Sequence, residues 1–202
     1  MSKKPYLFDT GWQFVTSRGL NLSLAIKSNG FSAGAGSIYL APLSAPDNPY
    51  EFNYASAGIC VGLASASLEF ATKDIYSSGV VYGNPLIKGN LTLDDMQGAC
   101  LIYSASAHIL PGGSVSVILI GVGMGIVKGF FLAASGVGFP LAPLAVLASC
   151  RAMVFYSGGI IGTPDAGCTA TIGYITNTDT MKNKNYGTIM LVKSLNSINQ
   201  AL

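Results

Sequence analysis

Residues 96–164 contain almost no charge, and this feature most constrains how the chain can fold. Between Asp95 and Asp165 only Lys128 and Arg151 carry a formal charge. A surface in full contact with water normally carries many more charged side chains. The stretch is therefore expected to form either the interior of a compact β structure or a face that lipid, a partner or another copy covers.

The whole chain shares this deficit of charge. Charged residues make up 10% of its 202 residues, against roughly 25% in an average soluble domain. The net charge is +2, and no run of Lys or Arg is longer than Lys3-Lys4. Because phosphate backbones are bound by clustered cations, we expect no nucleic-acid binding. The length suits a single domain over residues 1–202.

An alternating pattern near the N-terminus predicts a β-hairpin. Polar or small residues separate four apolar ones, which is the period of a half-buried strand: Leu20, Leu22, Leu24 and Ile26. Ser28-Asn29-Gly30 is the predicted turn, since Asn-Gly between two such runs is a strong hairpin signal. Residues 31–40 then supply the returning strand.

Other segments predict further strands and one short helix. Strand-like content recurs in residues 50–54, 114–123, 151–157, 168–175 and 186–193, and the last three are spaced like a meander. Thr92 is a predicted helix cap, with Asp94 and Asp95 in the first turn. The predicted fold is mainly β (β-rich α+β), with antiparallel hairpins forming a sandwich or barrel-like sheet and one or two short helices.

The uncharged run 129–150 could be read as a membrane span. As a helix it would reach roughly 33 Å, close to the thickness of a bilayer core. Four helix-breaking residues oppose this interpretation: Gly136, Gly138, Pro140 and Pro143. Two shorter apolar pieces are expected instead, with Pro143 in the first turn of a helix that ends near Tyr156.

Glycines upstream of this run fit two structures. Gly121, Gly125 and Gly129 are four residues apart, a spacing that lets helices pack closely in membranes. Gly121, Gly123 and Gly125 are two apart, which is typical of one face of a strand. The strand is favoured because it continues the alternation that begins at Val115.

No catalytic, cofactor or metal motif is present in the structural context that its chemistry needs. Gly30-Phe31-Ser32-Ala33-Gly34 has the Gly-x-Ser-x-Gly spacing but lies in the predicted returning strand and not at a strand-to-helix turn, and Ile126 occupies the third glycine position of a dinucleotide loop. Cys60, Cys100, Cys150 and Cys168 lack metal-ligand spacing and are expected to be buried thiols. His108, the lone histidine, is expected to be structural. We therefore predict no catalytic, cofactor-binding or metal-binding residue.

Resemblance to known families is weak. The Gly- and Ala-rich strands and the run 88–92, Lys-Gly-Asn-Leu-Thr, resemble lipid-binding β domains of the SYLF type. The shared residues are common small ones, so no site is carried over. The composition is also similar to that of small bacterial membrane-active effectors.

From these observations we predict a non-enzymatic protein that associates with membranes or lipid. A more specific form of this prediction is a pore-forming or toxin-like bacterial effector. Residues 114–150 are the predicted inserting segment, with phenylalanine anchors, closely packing glycines and boundary cations. The candidate residues are Gly121, Gly125, Lys128, Gly129, Phe130, Phe131, Phe139 and Arg151. The alternative is a self-assembling structural or interaction module, including a homo-oligomer, and a third class is an enzyme with a site assembled from scattered residues.

The N-terminal residues predict where the chain is made. No apolar segment precedes Asp9, so no cleavable secretion signal is expected. Synthesis in the cytoplasm follows, with membrane association or export by a signal-independent route left open.

A charge placed in the predicted inserting segment tests this hypothesis. Phe131→Asp and Leu144→Asp are expected to abolish membrane association, because a carboxylate is costly to bury in hydrocarbon. Flotation with liposomes measures the association. Unchanged folding together with unchanged lipid binding would contradict the assignment of the segment.

Overall fold

The structure is a computed structural model that describes residues 10–26, 29–62, 66–71, 78–84, 91–107, 113–123, 150–157, 160–161 and 166–178. Within these ranges the protein is mainly β, an antiparallel sheet curled into a half-barrel. The mainly β prediction is therefore confirmed. The predicted strand at 186–193 lies outside the described residues.

The described residues form a ten-stranded sheet and one short 3₁₀ helix. The order across the sheet is β5-β8-β7-β6-β10-β3-β2-β1-β4-β9. The strands are β1 (Trp12–Ile26), β2 (Asn29–Pro42), β3 (Tyr50–Gly62), β4 (Ala66–Ala71), β5 (Ser78–Gly83), β6 (Gly98–Ala107), β7 (Gly113–Ile120), β8 (Ala152–Ser157), β9 (Ile160–Ile161) and β10 (Ala166–Asn177); the helix is Asp94–Met96.

The predicted N-terminal hairpin is confirmed, but Asn29 and Gly30 do not form its turn. Ile26 pairs with Asn29 and Ala25 pairs with Gly30, so Asn29 and Gly30 belong to the ladder. The two residues between the strands, 27 and 28, lie outside the described ranges. Backbone pairing therefore continues through the Asn-Gly dipeptide instead of turning there.

The C-terminal strand does not continue a meander. β10 pairs with β3 on one side and with β6 on the other. It therefore joins two blocks, β1 to β3 and β6 to β8, that are each built from neighbours in sequence. This strand pairs with strands that are far from it in the chain. Local sequence patterns do not predict such long-range pairing.

Side chains hold the two margins of the curled sheet together at one end. The Thr10 hydroxyl donates a hydrogen bond to the Val81 carbonyl, 3.2 Å away. Phe14 of β1 stacks on Tyr156 of β8, with ring centroids 5.5 Å apart and planes 11° apart. Gly79 of β5 leaves room for the Phe14 ring, since an added Cβ would lie 2.7 Å from its Cγ. We call this contact the seam.

The core fills the half-barrel at the level of the seam. It contains fully buried apolar side chains from both blocks: Ile38, Leu40, Phe52, Met96, Cys100, Ile118, Ile120, Val154 and Ile175. A second, smaller buried cluster lies on the opposite side of β6, β7 and β10, and consists of Leu101, Leu119, Val122, Cys150 and Ile172. The sheet thus packs apolar residues on both of its faces.

Two helix predictions have different outcomes. The short helix forms as a 3₁₀ helix over Asp94–Met96, but its N-cap residue is Leu93 and not the predicted Thr92. Thr92 precedes the cap and bonds to Asp95: its amide donates to Asp95 Oδ2 (3.0 Å), and the Asp95 amide donates to Thr92 Oγ1 (3.3 Å). The prediction of a helix that ends near Tyr156 is wrong for residues 152–156, because these residues belong to β8. Its Ala152 and Val154 alternate into the core between β5 and β7, whereas residues 143–149 lie outside the described ranges.

Gly79→Ala tests the close packing of β5 at the seam. We expect the free energy of unfolding to fall by about 2 kcal/mol, because the added methyl would clash with the Phe155 carbonyl oxygen of β8 and with the Phe14 ring. Urea denaturation measures the change. Gly123→Ala is the matched control, since no atom of a described residue lies within 4 Å of its added Cβ; equal losses in the two variants would contradict the close packing at Gly79.

Candidate functional site

Apolar side chains form continuous rows across the outer face of the half-barrel. Because strand side chains alternate between faces, residues paired in register share a face. One row crosses eight strands: Leu24, Phe31, Ile59, Ala170, Tyr103, Val117, Phe155 and Val80. The next is Leu22, Ala33, Ala57, Ile172, Leu101, Leu119, Met153 and Tyr82, and a third begins Leu20, Ala35, Ala55, Tyr174 and Ala99. We call these three rows the outer band.

The two sides of the outer band differ from its middle in exposure. In the middle, Leu101, Leu119 and Ile172 are buried. On β1 and β2 the exposed fractions are 53% for Leu20, 44% for Leu22, 52% for Leu24 and 53% for Phe31. Val80 and Phe155, at the other side of the band, are also exposed. Large apolar side chains that are contiguous and exposed are typical of an interaction surface.

The inner face behind these leucines is polar. Ser23 and Ser32 lie between the outer rows in the register and are 7% and 0% exposed. Ser56, Ser116 and Thr171 are likewise buried on the inner face. At this level the sheet has hydroxyls inside and leucines outside, the reverse of a sheet that packs an apolar core in water.

The inner hydroxyls bond to one another across neighbouring strands. Ser23 donates to Ser32, and Ser32 donates to Asn21 Oδ1, each over 3.0 Å. Thr171 donates to Ser56 over 3.0 Å, and the hydroxyls of Ser104 and Ser116 are 2.8 Å apart. Such bonds offset the cost of burying polar groups. A cleft of about 40 Å³ is lined by five of the bonded residues: Asn21, Ser56, Ser104, Ser116 and Thr171.

A polar row borders the outer band toward the seam. It contains Arg18, Ser37, Asn53 and Thr176 in register. Arg18 forms an ion pair with Glu51, and Tyr39 donates to the same carboxylate over 2.8 Å. Burial alone would raise the pKa of Glu51, but hydrogen bonds from Tyr39 and Ser37 and the charge of Arg18 outweigh it, so this pKa is lowered.

Two predicted site residues, Gly121 and Arg151, lie together at the end of the sheet. Gly121 has a φ of 78° and packs against the Arg151 side chain, where an added Cβ would lie 3.1 Å from Cγ. Arg151 is exposed and donates to Asp95 Oδ1 over 2.7 Å. The other predicted site residues lie outside the described ranges: Gly125, Lys128, Gly129, Phe130, Phe131 and Phe139.

The described residues offer little for covalent or metal chemistry. No group of three or more His, Cys, Asp or Glu side chains within them could hold a metal ion. All four cysteines are free; Cys168 is exposed, contrary to expectation, and the other three are buried. Burial raises the pKa of the Cys100 thiol to about 12 and that of Cys150 to about 11, so both stay protonated near neutral pH.

The leucines of β1 were identified as one face of a half-buried strand, but their exposure was not anticipated. A signal for it was present in the partner strand. Ser32, Gly34 and Gly36 share the inner face with Ser23, Asn21 and Gly19, and neither set could fill an apolar core.

Comparison with known proteins identifies no relative: no family model matches the sequence, and no curated protein and no solved structure matches it either. In the part of the chain that the structure describes, no helix has the length and apolar character needed to cross a membrane.

Acid is expected to destabilise the protein through Asp95. Hydrogen bonds from the Thr92 amide and hydroxyl, and then the Arg151 guanidinium, lower the pKa of Asp95 below its ordinary 3.8. A carboxyl whose pKa is lowered by folding stabilises the fold above its unfolded pKa, and that contribution is lost as pH falls through the folded value. Urea unfolding near neutral pH and at about pH 3 measures the loss. Asp95→Asn should lose less stability between these pH values, and an equal loss would contradict the assignment.

Proposed function

We propose that this chain is a non-enzymatic protein that associates with lipid through the outer band. The orientation of β1 and β2 is the observation that carries the proposal. In the outer band, their leucines and Phe31 point outward and are about half exposed, while Ser23 and Ser32 between those rows are buried inside. A sheet with this orientation is suited to an apolar medium outside and a polar one within.

The exposed apolar area is large enough to drive association. Covering the exposed half of such a side chain gains about 1 kcal/mol. Six of them lie in the outer band: Leu20, Leu22, Leu24, Phe31, Val80 and Phe155. Together they would contribute about 6 kcal/mol before the cost of association, which is sufficient for reversible binding to a surface.

The height of the outer band favours shallow insertion. Leu20 and Leu24 mark its first and third rows, so the band is roughly 13 Å tall at about 3.3 Å per residue. That is about half of a hydrocarbon core of about 30 Å. The polar row at Arg18 would then lie at the level of the headgroups, with the apolar rows within one leaflet.

The predicted inserting segment, residues 114–150, contacts this surface at two described positions. Val122 and Cys150 both pack on the outer-face cluster with Leu101 and Leu119. These two positions therefore connect the predicted inserting segment to the outer band. Residues 124–149 themselves lie outside the described ranges.

The packed interior favours association over conduction. Buried Phe52, Ile118 and Ile120 fill the half-barrel at the level of the seam. Conduction through the half-barrel itself would require these side chains to leave the interior, at a cost of several kcal/mol. We therefore propose surface association for the folded state and assign no conducting path through it.

The outer band would also suit a second copy of this chain, and self-association is the alternative function. An interface between copies would bury the same leucines. The two functions differ in their dependence on lipid, because self-association proceeds in its absence and increases with protein concentration.

The double variant Leu24→Glu/Phe31→Glu tests the proposal. Both side chains are about half exposed, so we expect the free energy of unfolding to change by no more than about 1 kcal/mol. Binding to phosphatidylcholine vesicles, measured by flotation, should fall at least about tenfold, because carboxylates must be desolvated at the surface.

Leu43→Glu is the matched control, since Leu43 is 50% exposed but lies beyond β2 and outside the outer band. It should retain vesicle binding. Binding that survives the double variant, or that Leu43→Glu abolishes equally, would contradict the proposal. Oligomers of the unsubstituted protein that dissociate in the double variant, without any vesicle binding, would establish self-association instead.

A further inference from the structure

The cleft inside the half-barrel has hydrogen-bonding groups on both walls. Asn21 of β1 and Ser56 of β3 line one wall, and Ser104 of β6 and Ser116 of β7 line the other. Thr169 and Thr171 of β10 lie at the cleft as well. Hydroxyls from strands far apart in sequence therefore meet around one small space.

These hydroxyls can bond to a ligand without breaking their own bonds. A serine or threonine hydroxyl has one donor and two acceptor positions. The bond between Ser104 and Ser116 uses one donor of the pair, and so does the bond from Thr171 to Ser56. Each pair therefore keeps a donor or acceptor for a further hydroxyl group in the cleft.

The volume of the cleft limits the size of the bound group. About 40 Å³ holds roughly three water molecules, at about 10–15 Å³ each. A ligand that displaces ordered water gains affinity only when it reproduces the hydrogen bonds of that water. Neighbouring hydroxyls on a short carbon chain do so, since each can donate and accept as water does.

The charges around the cleft disfavour ionic ligands. Among the described residues that line it, Arg18 alone is charged, and its guanidinium is paired with Glu51. A phosphate or carboxylate would therefore enter without a free counter-charge and would lose its hydration, which is costly. An uncharged hydroxyl-bearing group avoids this cost.

We propose that this cleft binds the adjacent hydroxyls of a small uncharged polyol, of the size of glycerol. The ligand chemistry is a vicinal diol or triol, whether free in solution or carried as the headgroup of a neutral lipid. The site goes beyond lipid association, because the hydroxyls that would bind the polyol lie on the inner face and do not belong to the outer band.

Saturation-transfer NMR with glycerol tests the site in solution, with 1-propanol as a probe of similar size that lacks the diol. Glycerol should give a saturable signal and 1-propanol should not. The variant Ser104→Ala/Ser116→Ala removes both members of one hydrogen-bonded pair, so no buried partner is left behind and the fold should persist. It should weaken glycerol binding at least about tenfold.

Thr176→Val is the matched control, because the Thr176 hydroxyl bonds to Gln97 Oε1, away from the cleft. It should bind glycerol as the unsubstituted protein does. Equal signals from glycerol and 1-propanol, or unchanged glycerol binding in the folded double variant, would overturn the proposal.

Vesicles distinguish the two sources of the polyol. Phosphatidylcholine vesicles with monoacylglycerol should bind the protein more tightly than vesicles without it if a lipid headgroup enters the cleft, and equally if only free polyol does. In the first case the Ser104→Ala/Ser116→Ala variant should remove the increase. Failure of lipid association would abolish all vesicle binding but leave the glycerol signal in solution, so the two proposals fail separately.

Discussion

The register between β1 and β2 is the constraint on which the rest of the molecule depends. Leu24 is paired with Phe31, and the adjacent pair is Ser23 with Ser32. The first pair points outward and the second inward, and the Ser23 to Ser32 hydrogen bond fixes their alignment. A slip of one residue would place leucines in the cleft and serines on the surface. The outer band and the cleft are thus two consequences of a single alignment.

The interior is divided along the strands into two levels with different roles. At the level of the seam, Phe52, Ile118 and Val154 form a dry apolar core, and Phe14 connects the two margins of the sheet. Above it, hydroxyls replace the apolar side chains. Burial of apolar surface stabilises the first level, while the second contributes mutual hydrogen bonds that are roughly neutral for stability. The core therefore holds the sheet in a curl that keeps the polar cleft intact.

The two described ion pairs lie at the ends of the outer band and not within it. Arg18 pairs with Glu51 beside its third row, and Arg151 pairs with Asp95 next to Gly121. Because each cation has an acidic partner, the border of the band has little net charge. The low charge content of the chain is then an expected property of a surface whose partner is apolar.

The sequence by itself determined the elements with local causes. Alternation predicted the hairpin and most strands, and the run from Thr92 to Asp95 predicted a short helix, though not its cap residue, because these features depend on residues a few positions apart. The tertiary structure alone decided that β10 lies between β3 and β6, that Arg151 meets Asp95, and that the leucines of β1 face outward. Of the predicted site residues, only Gly121 and Arg151 fall in the described ranges, and their contact depends on the pairing of β7 with β8. A period of two shows that a strand has two different faces, but which face lies inside depends on the curvature of the sheet and on the strands opposite, and these are set by pairing between residues far apart in the chain.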